Sequence, residues 1–124
     1  MLHVVNLLIS KYREKKKEKE RSPQWSAVRD HFLEGKKCAA CGSKKNLQVH
    51  HVKPFHLYPE LELDVTNLIV LCMDKYDCHL RLGHGNNFSR FCSKIREFAL
   101  HTLNNPRDRK SIEKEAKRIS MSLP

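Results

Sequence analysis

The chain has 124 residues, enough for one domain, and its 24 Lys and Arg stand against 14 Asp and Glu, a formal charge of +10. Hydrophobic residues make up 40% and charged residues 31%, which predicts a small core with solvated flanks. No apolar run approaches the roughly 18 residues of a membrane span, and the stretch Leu2 to Ile9 lacks a signal peptide's basic leader and cleavage site; neither a membrane nor an exported protein is expected, and the cytoplasm is the expected compartment.

Residues 1–21 read as a basic N-terminal helical arm. Met1 to Ser10 is apolar, and Lys11 to Arg21 is a dense charge run with almost no apolar face. Such a run is a solvated helix, or an arm lying on phosphates. Ser22-Pro23 predicts a helix start, with Ser at the cap and Pro in the first turn. Trp25, Val28, Phe32 and Leu33 follow at helical spacing, and Gly35 is the stop. Trp25 is expected as a core anchor. Short strands are predicted at Leu47-Gln48-Val49 and Leu68-Ile69-Val70-Leu71, joined by a loop over 52–66 with Pro54 and Pro59. After Gly85, the residues Phe88, Phe91, Cys92, Ile95, Phe98 and Ala99 fall on one helical stripe. Asn104-Asn105-Pro106 breaks it, and a last helix is predicted over roughly 107–121. These boundaries give a central domain over 22–103 and a C-terminal helical tail over 104–124.

The chemistry lies between 38 and 84. Cys38-Ala-Ala-Cys41-Gly42 is a knuckle that brings two thiolates to one metal, with Gly42 freeing the backbone for the turn. Cys72 and Cys78 supply two more sulfurs, and four suffice for a tetrahedral structural zinc site. The five residues between Cys72 and Cys78 must bulge out as a loop. The alternative is a set of buried or redox-active thiols. Cys92 belongs to the core by its place on the apolar stripe. The second constellation is His50 and His51, directly after the first strand, with His79 and His84 following the second cysteine pair. Neighbouring strand residues point to opposite sides, so one imidazole can face a metal while the other faces a substrate. An ion held by neutral imidazoles with open positions is a catalytic arrangement.

The run Cys38-x2-Cys41, Leu47-Gln48-Val49-His50-His51-Val52-Lys53-Pro54, Asp64-x2-Asn67-Leu68-Ile69-Val70-Leu71-Cys72 and Cys78-His79 resembles an HNH endonuclease. Trp25 to Arg29, Lys53 to His56, Pro59 to Asp64 and Gly83-His84 bring it close to the zinc-containing HNH proteins of bacteriophages. The resemblance covers about residues 22–92. It implies an α+β fold, a small ββα-metal finger with a structural four-cysteine zinc site, flanked by helices. It also implies that His51 is the general base, that His50 and His79 are ligands to the catalytic metal with His84 as a further one, and that Asn67 ties down the loop carrying the base. His56 is a lesser candidate that shapes the loop.

The implied activity is metal-dependent hydrolysis of DNA phosphodiester bonds, by nicking or double-strand cleavage, leaving 3′-hydroxyl and 5′-phosphate ends. Mg²⁺ or Mn²⁺ is the expected working ion, and imidazole ligands also accept Zn²⁺ or Ni²⁺. DNA, double- or single-stranded, is the expected partner. The basic flanks favour phosphate contacts, which predict low sequence specificity. Two other readings stay open: a zinc-stabilised nucleic-acid-binding module without cleavage, and an accessory protein of a phage DNA-packaging complex.

Overall fold

The apolar run after Asn67 becomes β2, Leu68–Cys72, and all five of its residues are buried. It pairs antiparallel with β1, Leu47–His51, in a register that sets Leu47 opposite Cys72 and His51 opposite Leu68. In the computed structural model, residues 20–105 are described, together with Lys114, Lys117 and Arg118. The basic arm expected over 1–21 and the tail expected over 104–124 therefore lie almost wholly outside the described residues. A two-stranded ribbon is marginal alone in water, so the fold depends on what packs against it.

Three helical elements do so. α1, Trp25–Leu33, lies against β1 and buries none of its residues completely. A single π-helical turn, His79–Gly83, follows Cys78 and contacts both strands. α2, Ile95–Leu103, packs on that turn and buries Ile95, Ala99 and Thr102. The core gathers Ile69, Leu71, Leu82, Cys92, Ile95 and Ala99 around the buried Cys38, Cys72 and Cys78. The architecture is α+β and consistent with the expected ββα-metal arrangement, its helical third element reduced to one turn. No described helix is long and apolar enough to cross a membrane.

Four sequence expectations shift. β1 runs on to His51, so the two histidines lie within the strand rather than directly after it. α1 begins at Trp25, because Ser22 accepts hydrogen bonds at its Oγ from Gln24 N–H (3.1 Å) and at its carbonyl from Trp25 N–H (3.0 Å), making a turn before the helix instead of capping it. Trp25 is half-buried and packs on the His51 ring, centroids 4.6 Å apart, rather than anchoring the core. The helix expected after Gly85 starts only at Ile95. Gly85 and Asn86 take left-handed φ values of 55° and 66°, and Asn87 Oδ1 accepts from Ser89 N–H and Oγ–H. Those local bonds compete with helix initiation.

Candidate active site and metal centres

The cysteine cluster is assembled from the knuckle upward. Gly42 has φ +78°, a conformation that favours glycine. The turn is closed by Gly42 N–H to Cys38 O (2.9 Å) and Cys38 N–H to Ser43 O (2.8 Å), and Ala39 N–H docks it on Val70 O (2.9 Å). Cys72 ends β2. The intervening loop folds back through Asp77 N–H to Asp74 O (2.8 Å), and Ser43 Oγ donates to Asp74 Oδ2 (3.0 Å), pinning the loop to the knuckle. The wide Cys72–Cys78 spacing is thus a closed turn. The sulfurs of Cys38, Cys41, Cys72 and Cys78 all lie within 4.8 Å of one another, with Cys41 and Cys72 at 3.5 Å. Tetrahedral Zn–S bonds of about 2.3 Å put sulfurs about 3.8 Å apart, so the cluster fits zinc. The thiols of Cys41 and Cys78 hold Cys38 far below the usual thiol range, while Cys38 pushes Cys41 and Cys78 up. A divalent cation would relieve that competition, because thiolate is the form in which cysteine ligates a metal.

At the far end of β1 the alternation of the strand sends His50 toward the π-helical turn and His51 toward α1. His50, His79 and His84 bring their ring nitrogens within 4.8 Å of one another. His84 Nδ1–H donates to Arg90 O at 2.7 Å, leaving its Nε2 lone pair free to face His79 Nε2 at 3.2 Å. Ligand nitrogens on a tetrahedral ion with bonds of about 2.0–2.1 Å sit about 3.3 Å apart. His50 Nε2 and His79 Nδ1 are buried with no hydrogen-bond partner, an unusual cost in a folded chain. Burial depresses the pKa of all three, and mutual repulsion lowers His50 and His79 further. Three neutral imidazoles with converging nitrogens and orphaned ring atoms fit a divalent ion. Gly83 makes the room: a Cβ there would lie 3.1 Å from His50 Cε1.

His51 is held separately. Its Nε2–H donates to the Glu62 carbonyl at 2.9 Å, so the neutral ring carries its lone pair on Nδ1. Burial lowers its pKa, offset in part by that carbonyl. Asn67 fixes the segment between. Its Oδ1 accepts from Lys53 N–H (2.9 Å) and its Nδ2–H donates to Lys53 O (3.0 Å). Arg96 in turn donates to the carbonyls of Thr66 and Leu68 on either side of Asn67.

All four imidazoles line one cleft of about 260 Å³, walled also by Arg21, Phe55 and Arg90. His56 reaches this wall but is exposed and outside the three-histidine group. Phe88, 55% exposed, lies with its ring 5.0 Å from His84 and 5.9 Å from His79, covering the histidines instead of joining a helix stripe. Sequence reasoning missed Arg21, Glu62, Arg96 and Gly83. Arg21 lies 4.3 Å over the Phe55 ring and 3.6 Å from the buried Glu62 carboxylate, which also accepts from Ser22 N–H. A buried Glu needs a partner, but nothing in the sequence marked Glu62 as buried.

Residues 38–85 match the family model for HNH endonucleases. The chain carries an HNH domain. The matched span runs from the first zinc-knuckle cysteine to one residue past His84, so it contains both ligand clusters, His51 and Asn67. Arg21, Trp25 and α2 lie outside it. No curated protein and no solved structure matches the chain.

Proposed function

We propose that this HNH domain makes the protein a divalent-metal-dependent endonuclease that hydrolyses DNA phosphodiester bonds with weak sequence preference, on a fold stapled by zinc at Cys38, Cys41, Cys72 and Cys78. The observation that carries the reading is the meeting, in one cleft, of a three-imidazole ligand group with a fourth imidazole whose tautomer is set by a backbone carbonyl. A divalent ion held by His50, His79 and His84 would supply positive charge to a non-bridging phosphate oxygen and to the departing 3′ oxygen. His51 Nδ1 takes a proton from the water that attacks phosphorus. The resulting imidazolium keeps its Nε2–H on the Glu62 carbonyl, whose partial negative charge favours the protonated ring. Asn67 holds the Lys53 backbone, two residues beyond the base, so that the ring does not swing. Arg21 and Arg90, on the cleft wall, meet neighbouring phosphates, contacts that give affinity without reading sequence.

The test is supercoiled-plasmid cleavage with Mg²⁺, Mn²⁺, Ni²⁺ or Zn²⁺ added in turn, run beside His51→Ala. The expected result is nicking by the parent and loss of about 10²-fold or more in the variant, which still binds DNA. Binding without cleavage under every metal would overturn the proposal in favour of a binding module. A single discrete cut site would overturn the weak sequence preference.

A further inference from the structure

Next to the catalytic cleft, and sharing Arg90 with it, lies a larger groove of about 570 Å³. Its walls interleave aromatic rings with cations: Tyr58, Phe91 and Phe98 with Lys53, Lys94 and Arg118. Among the described residues, none that lines it is acidic. Lys53 Nζ lies 5.4 Å from the Tyr58 ring centroid and the Arg118 guanidinium 4.4 Å from that of Phe98. Lys53 is also the residue whose backbone Asn67 clamps on both sides.

We infer that this groove binds an unpaired nucleotide of the strand being cut, and that the protein therefore prefers DNA in which that strand leaves the duplex beside the scissile bond. The inference rests on the nuclease reading and deepens it. Cations alone would suit any polyanion, and a paired duplex would need nothing more than a basic face. Aromatic faces set among the cations add a demand that a duplex cannot meet, because each of its bases is already covered by its neighbours. An unpaired base offers a free face to stack, and its phosphates reach the surrounding Lys and Arg. The volume lies in the ~300–1,000 Å³ range of sites for small-molecule-sized groups, far too small for a double helix to enter. The shared Arg90 sets the groove directly beside the cleft, so a strand leaving one can enter the other.

Binding is measured with a fluorescein-labelled oligodeoxythymidylate by anisotropy, in a His51→Ala background that does not cut. Phe91→Ala is expected to weaken it about five- to 150-fold, the loss of one stacking face. Lys94→Ala, which truncates an exposed side chain, is expected to lower the slope of log K against log salt by about 0.7, one phosphate of a single strand. Cleavage is measured on a duplex with an unpaired tail and on the same duplex fully paired. The parent is expected to favour the tailed substrate about tenfold or more, and Phe91→Ala to bring the ratio toward one. If Phe91→Ala fails to fold by circular dichroism, the Lys94→Ala slope carries the test. Equal cleavage of the two substrates by the parent, an unchanged ratio in folded Phe91→Ala, an unchanged slope in Lys94→Ala, or equal competition by polyglutamate would overturn the inference. A parent that cuts neither substrate overturns the nuclease reading instead, and the groove is then decided by the anisotropy results alone.

Discussion

Truncating Asn67 isolates the role of the loop between the strands. The residue is buried, and its amide makes two bonds to a single partner, the Lys53 backbone, at 2.9 Å and 3.0 Å. A longer third contact reaches Leu61 O at 3.5 Å. At a net 0.5–1.5 kcal/mol per intramolecular bond, Asn67→Ala should cost about 1–3 kcal/mol of stability. A domain stable by about 5–15 kcal/mol survives that loss, so activity stays measurable in a folded protein. Glu62, whose carbonyl orients His51, lies on the same loop. A displacement near 1 Å at a catalytic group costs about 10²-fold, so nicking should fall by about that much. Asn67→Asp sharpens the test. Its Oδ1 still accepts from Lys53 N–H, but its second oxygen meets the Lys53 carbonyl, acceptor against acceptor, and the variant should fare no better than Ala. Urea unfolding of the zinc-loaded protein gives the stability and plasmid nicking gives the activity. A loss below about 0.5 kcal/mol, or Asn67→Asp behaving as the parent, would refute the clamp.

Three further outcomes follow from the same geometry. Stripping zinc with a chelator should unfold the domain outright, because structural zinc contributes about 10–16 kcal/mol and a two-stranded ribbon does not stand alone; a sharp thermal melt of the metal-free protein would contradict this. Gly83→Ala should push its Cβ against His50 and the Leu71 side chain, 3.1 Å and 3.2 Å away, at a cost of about 1–3 kcal/mol, with weaker divalent-ion binding in calorimetry; unchanged affinity would show that the His50 ring is not a ligand. In the proposed role of base His51 must be neutral to work, and burial holds it below the ordinary histidine value of 6.5. The acid limb of the rate profile should therefore fall below pH 6.5, activity being retained down to that point and lost as pH drops through the folded pKa. A midpoint above 6.5 would contradict the buried placement of the base.

What was legible in the sequence is what chemistry writes into residue type and spacing. Four cysteines in two pairs predicted the sulfur cluster, and His50, His51, His79 and His84 marked a second constellation; which three of them are ligands came from the resemblance to HNH endonucleases. The apolar run at 68–71 predicted β2, because β-branched and aliphatic residues in sequence suit a fully buried strand. The extent of β1 was not legible, since His50 and His51 are not strong strand formers. They extend the strand because Ile69 and Leu68 stand opposite them. The late start of α2 was hidden for a related reason. Phe88 and Phe91 keep helical spacing, but the left-handed pair Gly85 and Asn86 and the Asn87 side chain spend the backbone on turns first. The side chains of Arg21, Glu62 and Arg96 make ion pairs and hydrogen bonds to residues 28 or more positions away, and no local pattern encodes such pairings.

The two metal clusters are not independent ornaments on the ribbon. Cys78 belongs to the sulfur cluster and His79 to the imidazole cluster, and one peptide bond joins them. Cys72 and the histidines of β1 sit at opposite ends of a five-pair register. The π-helical turn contacts both strands, and through Gly83 it lies against the His50 ring. The sulfur cluster thus ends one residue before the turn, and His79 and His84 bracket the turn that brings them to His50. This explains how five residues of helix can serve where a longer helix would be expected. On the proposed zinc site, the orientation that a long helix gains from its own packing would be supplied here by Cys78, the residue just before the turn, and completed by α2 packing on the turn. On the proposed function, an inert ion and a catalytic one would in that sense form a single device: the first would spend its binding energy on folding, and the second would inherit a ligand set already in place.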